Sequence, residues 1–183
     1  MISVKNIREQ EIKITKGPIV YYWWFKSSCF NELLSNFPKN EINFNRLLFK
    51  EIENETCALL YIGKGKNGND RLIKYHILDS QNFHNLGVEN GRLSSLRQTL
   101  CGLLNLRMSK SKGSVNDFMD KNCFVEFEAC SMDQLDNLEN EKIRNHYLPL
   151  NYQNTKGILT SSHRKILSES KKNEELRSFL DVV

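Results

Sequence analysis

The chain has 183 residues, of which 39% are hydrophobic and 26% charged, and its formal net charge is +4. This length fits one domain with elaborations, so we expect a single domain over residues 1–183. The mild positive charge is compatible with a nucleic-acid partner but does not establish one. No apolar run approaches membrane-spanning length, and the five cysteines include no CxxC pair. We therefore expect a cytoplasmic protein with reduced thiols and no membrane partner.

The first strong element is a β-prone run from Ile19 to Phe25 (IVYYWWF), directly after Gly17-Pro18. Its β-branched and aromatic residues predict a core strand. Apolar residues then recur at helical spacing within residues 26–56, first at Phe30, Leu33 and Leu34 and again at Phe44, Leu47, Leu48 and Ile52. This pattern predicts a helical insertion that packs on the body, with a DNA-contacting appendage as the alternative.

The segment 59–76 (LLYIGKGKNGNDRLIKYH) combines an apolar strand pattern, a glycine-rich turn and the start of an amphipathic helix. A strand, a glycine turn and a helix start can present backbone N–H groups and cations to a phosphate. Lys64 and Lys66 lie in the turn, and Arg71 lies in the first turn of the helix. The spacing excludes a Walker A loop and a GxGxxG loop.

Four further elements follow. Residues 94–104 read as a helix with Ser94 as its N-cap. Lys110 to Gly113 (KSKG) form a basic loop, and the alternating run 123–129 (CFVEFEA) predicts a third strand. Ser131 and Gln134 have the spacing of a capping box and predict a helix that carries Glu139 and Glu141 and ends before Pro149 and Asn151. The tail, residues 161–183, is predicted to be helical.

These pieces resemble the GIY-YIG nuclease family. Tyr61-Ile62-Gly63-Lys64-Gly65-Lys66-Asn67, followed by Arg71, matches the second half of the family motif and its spaced arginine. Ile19-Val20-Tyr21 occupies the place of GIY, with Ile19 replacing the family's glycine. Glu139 and Asn151 fall where the family has its metal-binding glutamate and a later asparagine. The resemblance implies an α+β fold with a small central antiparallel three-stranded sheet flanked by helices.

The resemblance also implies the roles of the site residues. Glu139 would bind Mg²⁺ (or Mn²⁺), a cation that suits a site with a single carboxylate because it keeps several waters. Arg71 would contact the phosphoryl group through its planar fork of donors, and Lys64 would help electrostatically. Tyr61 or Tyr21 would activate or orient the attacking water, with His76 as an alternative base. No small-molecule organic cofactor is expected.

Five residues are the predicted DNA contacts: Lys66, Arg97, Lys110, Lys112 and Asn151. The function expected from these residues is metal-dependent DNA cleavage, of the restriction type on duplex DNA. Restriction enzymes often form homodimers, in which two sites cut the two strands of a symmetric sequence.

Three alternatives remain open at this stage. The chain could be a catalytically silent nucleic-acid-binding module, or a structure-specific repair or mobile-element nuclease. It could also be an unrelated basic α/β protein, in which case Tyr21, Tyr61, Arg71 and Glu139 would be scattered in space. If the family interpretation is correct, their side chains converge on one concave face.

Overall fold

The computed structural model describes residues 1–38, 40–78, 94–106 and 115–180. Within these residues the fold is α+β, with one antiparallel sheet and helices on both of its faces. The strands are β1 (Ile2–Ser3), β2 (Ile19–Lys26), β3 (Phe49–Ile52), β4 (Glu55–Gly65) and β5 (Cys123–Ala129). They lie in the order β1-β5-β2-β4-β3, so the sheet has five strands rather than the three predicted.

The helices are α1 (Val4–Glu9), α2 (Phe30–Leu33), a π-helix (Asn69–Ile77), α3 (Ser95–Leu104), α4 (Val115–Asn122), α5 (Leu135–Asn145) and α6 (Ser161–Leu180). Short 3₁₀ turns cover Ser27–Cys29 and Phe44–Arg46. Ser94 caps α3 as predicted, because its hydroxyl accepts a hydrogen bond from Arg97 N at 3.1 Å. The predicted capping box is wrong, since α5 begins at Leu135 after a turn and its N-cap, Gln134, makes no side-chain cap bond.

The predicted second helix of the insertion is also wrong. Only Phe44–Arg46 forms a 3₁₀ turn, and Phe49–Ile52 is a strand that pairs with β4. The two strands are joined by Glu53 and Asn54, which have φ values of 51° and 64°. Two consecutive positive φ values form the tight turn that matches the twist of a hairpin. This turn brings the segment onto the edge of β4, and pairing along the edge decides its conformation.

The sheet separates two apolar clusters. Tyr21, Trp23 and Phe25 of β2 face the larger cluster, which includes residues of the π-helix, α3 and α4. Val20 and Trp24 face the smaller one, which α5 covers with Leu135 and Ile143. Alternation along a strand explains this division. No helix in the described ranges combines the length and hydrophobicity that a membrane span requires.

Helix α6 packs closely on α3. A Cβ atom placed on Gly102 of α3 would lie only 2.0 Å from the carbonyl oxygen of Ser170 of α6, so a side chain at this position would separate the two helices. His163, also on α6, is buried and its Nε2 lies 2.8 Å from Pro149 O. The tail is therefore fixed to the body beside the segment that follows α5.

Candidate active site

Side chains from β2, β4, the π-helix and α5 line one cavity of about 530 Å³ where β4 enters the glycine-rich turn. The lining includes five of the six predicted catalytic residues, namely Tyr21, Tyr61, Lys64, Arg71 and Glu139. The scattered arrangement that a coincidental match would produce is therefore absent from this part of the structure.

Tyr21 is held against a glycine on the neighbouring strand. It lies directly opposite Gly63 in the β2–β4 register, and a Cβ atom on Gly63 would be 2.6 Å from the Tyr21 hydroxyl oxygen. Such a separation is not tolerated between these atoms, so only glycine leaves room for the ring. The glycine of the YIG sequence is thus required by the tyrosine of the preceding strand.

Ile19, which replaces the first glycine of the family motif, is accommodated by another glycine. Its side chain is buried, and a Cβ atom on Gly68 would lie 2.8 Å from Ile19 Cδ1. The volume added at Ile19 is therefore matched by the side chain missing at Gly68. This departure from the motif leaves the position of Tyr21 intact.

His76 lies behind Tyr21 rather than in the cavity. It is fully buried, its Nε2 is 2.6 Å from the Tyr21 hydroxyl, and its Nδ1 hydrogen-bonds to Ser94 Oγ. Burial, and the nearby charges of Arg71 and Arg97, hold the pKa of His76 well below its usual value. A buried neutral imidazole between two hydrogen-bonding partners cannot reach a substrate. Its contacts are those of a positioning residue, and its role as an alternative base, which would have to act through Tyr21, stays a prediction.

The two tyrosines have different surroundings. Tyr21 is deeply buried, and burial raises the pKa of its phenol, as does the proximity of Tyr61. Burial likewise raises the pKa of Tyr61, whose hydroxyl lies 3.2 Å from Ser95 Oγ. Both phenols are therefore protonated at neutral pH. Among the described contacts, the Tyr21 hydroxyl has a histidine nitrogen, His76 Nε2, within hydrogen-bond distance, whereas the Tyr61 hydroxyl has a serine oxygen.

Arg71 lies in the π-helix, where Leu78 N–H donates to Ile73 O five residues before it. An α-helix was predicted here, but backbone bonds that span five residues place positions 71 and 76 about one turn apart. Arg71 hydrogen-bonds to Tyr21, and its charge acts on both tyrosines. The helix thus directs a guanidinium and an imidazole to the same phenol.

Glu139 and Lys64 form an ion pair at the opposite wall. Lys64 Nζ is 2.6 Å from Glu139 Oε2 and 2.9 Å from Asp136 Oδ1. The Glu139 side chain is only 12% exposed, whereas that of Asp136 is 79% exposed. Partial burial lowers the pKa of Lys64, but hydrogen bonds to these two carboxylates raise it by more. Lys64 therefore remains a cation beside the carboxylate.

The donor set fits a hydrated divalent cation. The Glu139 carboxylate lines the cavity, and it already binds one cation, the Lys64 ammonium group, at 2.6 Å. In the described parts of the chain, no three or more His, Cys, Asp and Glu side chains form a group that could bind a metal ion. A cation at Glu139 would keep most of its ligands as water, which is typical of Mg²⁺.

The predicted DNA contacts have different outcomes. Lys66 is exposed and lines the cavity. Arg97 is 0% exposed and its Nη1 donates to His76 O at 3.0 Å, so the predicted phosphate contact is wrong. Asn151 is also buried, and it braces β4, because its amide oxygen accepts from Ile62 N at 2.9 Å and its amide nitrogen donates to Ile62 O at 2.8 Å. Its role as a DNA contact stays a prediction. Lys110 and Lys112 lie outside the described residues.

Sequence reasoning missed several residues that line the cavity. Tyr75 lies four residues after Arg71, and this spacing could have identified it as a neighbour. Ser95, the partner of Tyr61, was assigned only to the start of a helix. Gln153 and Asn154 follow the predicted Asn151 and carry no pattern that indicates a site.

Comparison with known proteins gave one match. A family model described as "GIY-YIG catalytic domain" matches residues 19–173, a range that contains every site residue described above. The comparisons with curated proteins and with solved structures gave no match.

Proposed function

We propose, from the membership of this chain in the GIY-YIG family of nucleases, that it is a metal-dependent endonuclease that hydrolyses phosphodiester bonds of DNA. The observation that carries the proposal is the convergence of Tyr21, Tyr61, Lys64, Arg71 and Glu139 on one cavity of about 530 Å³. A module that only bound nucleic acid would need the surface cations but not the buried tyrosines or the cavity carboxylate.

Arg71 and Lys64 would neutralise the charge that grows on the phosphoryl oxygens. Arg71 offers a planar fork of donors that is charged at any relevant pH, and Lys64 supplies a second cation at the other wall. Preorganised charges of this kind typically contribute about 10²–10³ in rate each. Glu139 would hold the divalent cation, which when bound lowers the pKa of water and stabilises the leaving oxygen.

Tyr21 is our choice for the tyrosine that orients the attacking water. Its hydroxyl can donate to the neutral His76 Nε2 at 2.6 Å and accepts from Arg71, which leaves one oxygen lone pair to accept a hydrogen bond from water. A phenol that donates in this way becomes a better acceptor, because adjacent hydrogen bonds polarise one another. Tyr61, held by Ser95, would position the phosphate or a second water.

We further propose restriction-type cleavage of duplex DNA by a homodimer in the cytoplasm. A self-complementary pair of sites is the usual way to cut both strands of a symmetric sequence. The five cysteines, Cys29, Cys57, Cys101, Cys123 and Cys130, form no disulfide with one another, which suits a reducing compartment.

The test is cleavage of plasmid and phage DNA in Mg²⁺, with EDTA and Glu139→Ala as negative controls and Glu141→Ala as the matched positive control. Glu141 is exposed on the same helix and does not line the cavity. We expect discrete fragments with the wild type and Glu141→Ala, and none with Glu139→Ala or EDTA. Sedimentation at the working concentration tests the homodimer.

Other results would favour the alternatives. Nicking or smearing would indicate a structure-specific or nonspecific nuclease in place of a restriction enzyme. Salt-sensitive DNA binding without cleavage would favour the catalytically silent module. Neither binding nor cleavage would contradict the proposed function altogether.

A further inference from the structure

A second cavity of about 230 Å³ adjoins the candidate active site. It shares six lining residues with the first, namely Tyr61, Arg71, Ser95, Glu139, Gln153 and Asn154. Beyond them it extends to Tyr152 and to Lys171 of α6. The two cavities therefore form one continuous depression that runs from the glycine-rich turn to the C-terminal helix.

The far end of this depression is aromatic and positively charged. The Tyr152 ring is 37% exposed, with the Arg164 guanidinium carbon 5.5 Å and Lys171 Nζ 5.3 Å from its centroid. Arg164 and Lys171 are seven residues apart on α6, which places them on one face, two turns from each other. Lys171 and Tyr152 line the cavity, and Arg164, which is not part of the lining, contacts the same ring.

We propose that Arg164 and Lys171, organised by Tyr152, bind a phosphate of the substrate strand that flanks the scissile phosphate. The inference deepens the proposed function and depends on it. A DNA strand carries a negative charge at every nucleotide, so a strand whose scissile phosphate lies between Arg71 and Glu139 continues along the depression. Cations that bind a flanking phosphate increase the affinity for DNA of any sequence, because contacts to phosphates position the nucleic acid but do not distinguish its bases.

Helix α6 thereby acquires a role beyond packing. Its close contact with α3 through Gly102 and Ser170 fixes the position of α6, and therefore of Arg164 and Lys171, relative to α3. On the same helix, Lys165 pairs with Glu169 at 3.8 Å, with a side chain that is 75% exposed, and it does not line either cavity. Lys165 is therefore a matched control of equal charge.

The experiment measures the salt dependence of duplex binding in EDTA, and separately the steady-state cleavage kinetics in Mg²⁺. We compare the wild type with Lys171→Gln, Arg164→Gln, Lys171→Arg and Lys165→Gln, each checked by a thermal melt. For Lys171→Gln and Arg164→Gln we expect the slope of log K against log salt to become shallower by about 1. Cleavage at saturating DNA should persist while KM rises, and Lys171→Arg should restore the wild-type slope.

The outcomes separate this inference from the proposed function. If the wild type cleaves DNA but Lys171→Gln and Arg164→Gln have the same slope and KM as Lys165→Gln, the flanking phosphate site is wrong and the nuclease assignment stands. If the wild type neither binds nor cleaves, both are wrong. If Lys171→Gln melts early, Lys171→Arg and Arg164→Gln decide the matter.

Discussion

The Tyr21 hydroxyl is surrounded by groups that each constrain it differently. His76 Nε2 lies 2.6 Å from it, and Arg71 of the π-helix hydrogen-bonds to it. Gly63, on the neighbouring strand, lies against its ring. A buried phenol with this many fixed neighbours has little freedom to turn. Its position relative to the cavity is therefore decided by Arg71 and Gly63, which also line the cavity, and by His76, which lies behind it.

We expect Gly63→Ala to displace Tyr21, because the new Cβ would lie 2.6 Å from the hydroxyl oxygen. Forcing one methyl into a packed site typically costs about 1–3 kcal/mol of stability. A misplacement of a site group by about 1 Å can cost about 10²-fold in rate. Urea unfolding and single-turnover cleavage measure the two effects.

A double-mutant cycle with Tyr21→Phe gives the control for this prediction. Removal of the hydroxyl eliminates the closest contact, so Gly63→Ala should destabilise the Tyr21→Phe protein less than it destabilises the wild type. Strictly additive losses would show that the alanine acts through the ring carbons Cε2 and Cζ, each 2.8 Å from the new Cβ, and not through the hydroxyl.

Among the elements, the hairpin between β3 and β4 has a turn whose backbone does not suit its first residue. Glu53 adopts φ 51°, in a region that costs most side chains about 1–2 kcal/mol. Asn54, at φ 64°, tolerates the region better. The turn type favours asparagine followed by glycine.

Replacing both turn residues, Glu53→Asn with Asn54→Gly, should stabilise the protein by about 1 kcal/mol, since both new residues tolerate positive φ. Guanidinium unfolding measures the gain, and cleavage should not change because neither residue lines the cavity. Glu51→Asn, within β3, is the control and should give no gain. A destabilised double variant would contradict the turn assignment.

At the scale of the whole molecule, folding stability should depend on pH through His76. Its pKa is held well below the usual value by burial and by Arg71 and Arg97. Below about pH 6.5 the unfolded chain binds a proton here that the folded protein does not. Stability is therefore fully present above that pH and falls as pH decreases, by up to about 1.4 kcal/mol per pH unit from this group.

We expect His76→Gln to remove this part of the pH dependence. The variant should be less stable than the wild type at pH 7.5, because it loses the imidazole bonds to Tyr21 and Ser94, and the difference should narrow toward pH 5.5. Urea unfolding across this range is the measurement. A constant difference between His76→Gln and wild type would contradict the neutral, buried state.

Much of the fold followed from local patterns, and the exceptions have a common physical origin. The run 123–129 was predicted as a strand from alternation alone, and the Ser94 cap from its side-chain chemistry. The Phe49–Ile52 segment was predicted as helix because its apolar spacing fits one, yet pairing with β4 decided its conformation. The β1 strand has two residues and pairs only with β5, far along the chain, so no local pattern reveals it.

The candidate site divides in the same way. Tyr61, Lys64 and Arg71 lie on one short segment, so motif spacing could identify them. Arg97 and Asn151 are both buried, which the charge of one and the amide of the other do not reveal in the sequence. Each is bonded to the backbone beneath the site, Arg97 to His76 O and Asn151 to Ile62.

The π-helix decides which side chain lies behind the Tyr21 phenol. In an ordinary α-helix the residue one turn beyond the arginine is the fourth after it, whereas backbone hydrogen bonds across five residues bring the fifth, His76, to the place behind Tyr21. Deletion of one residue between Arg71 and His76 would therefore exchange the phenol's partner for a different side chain.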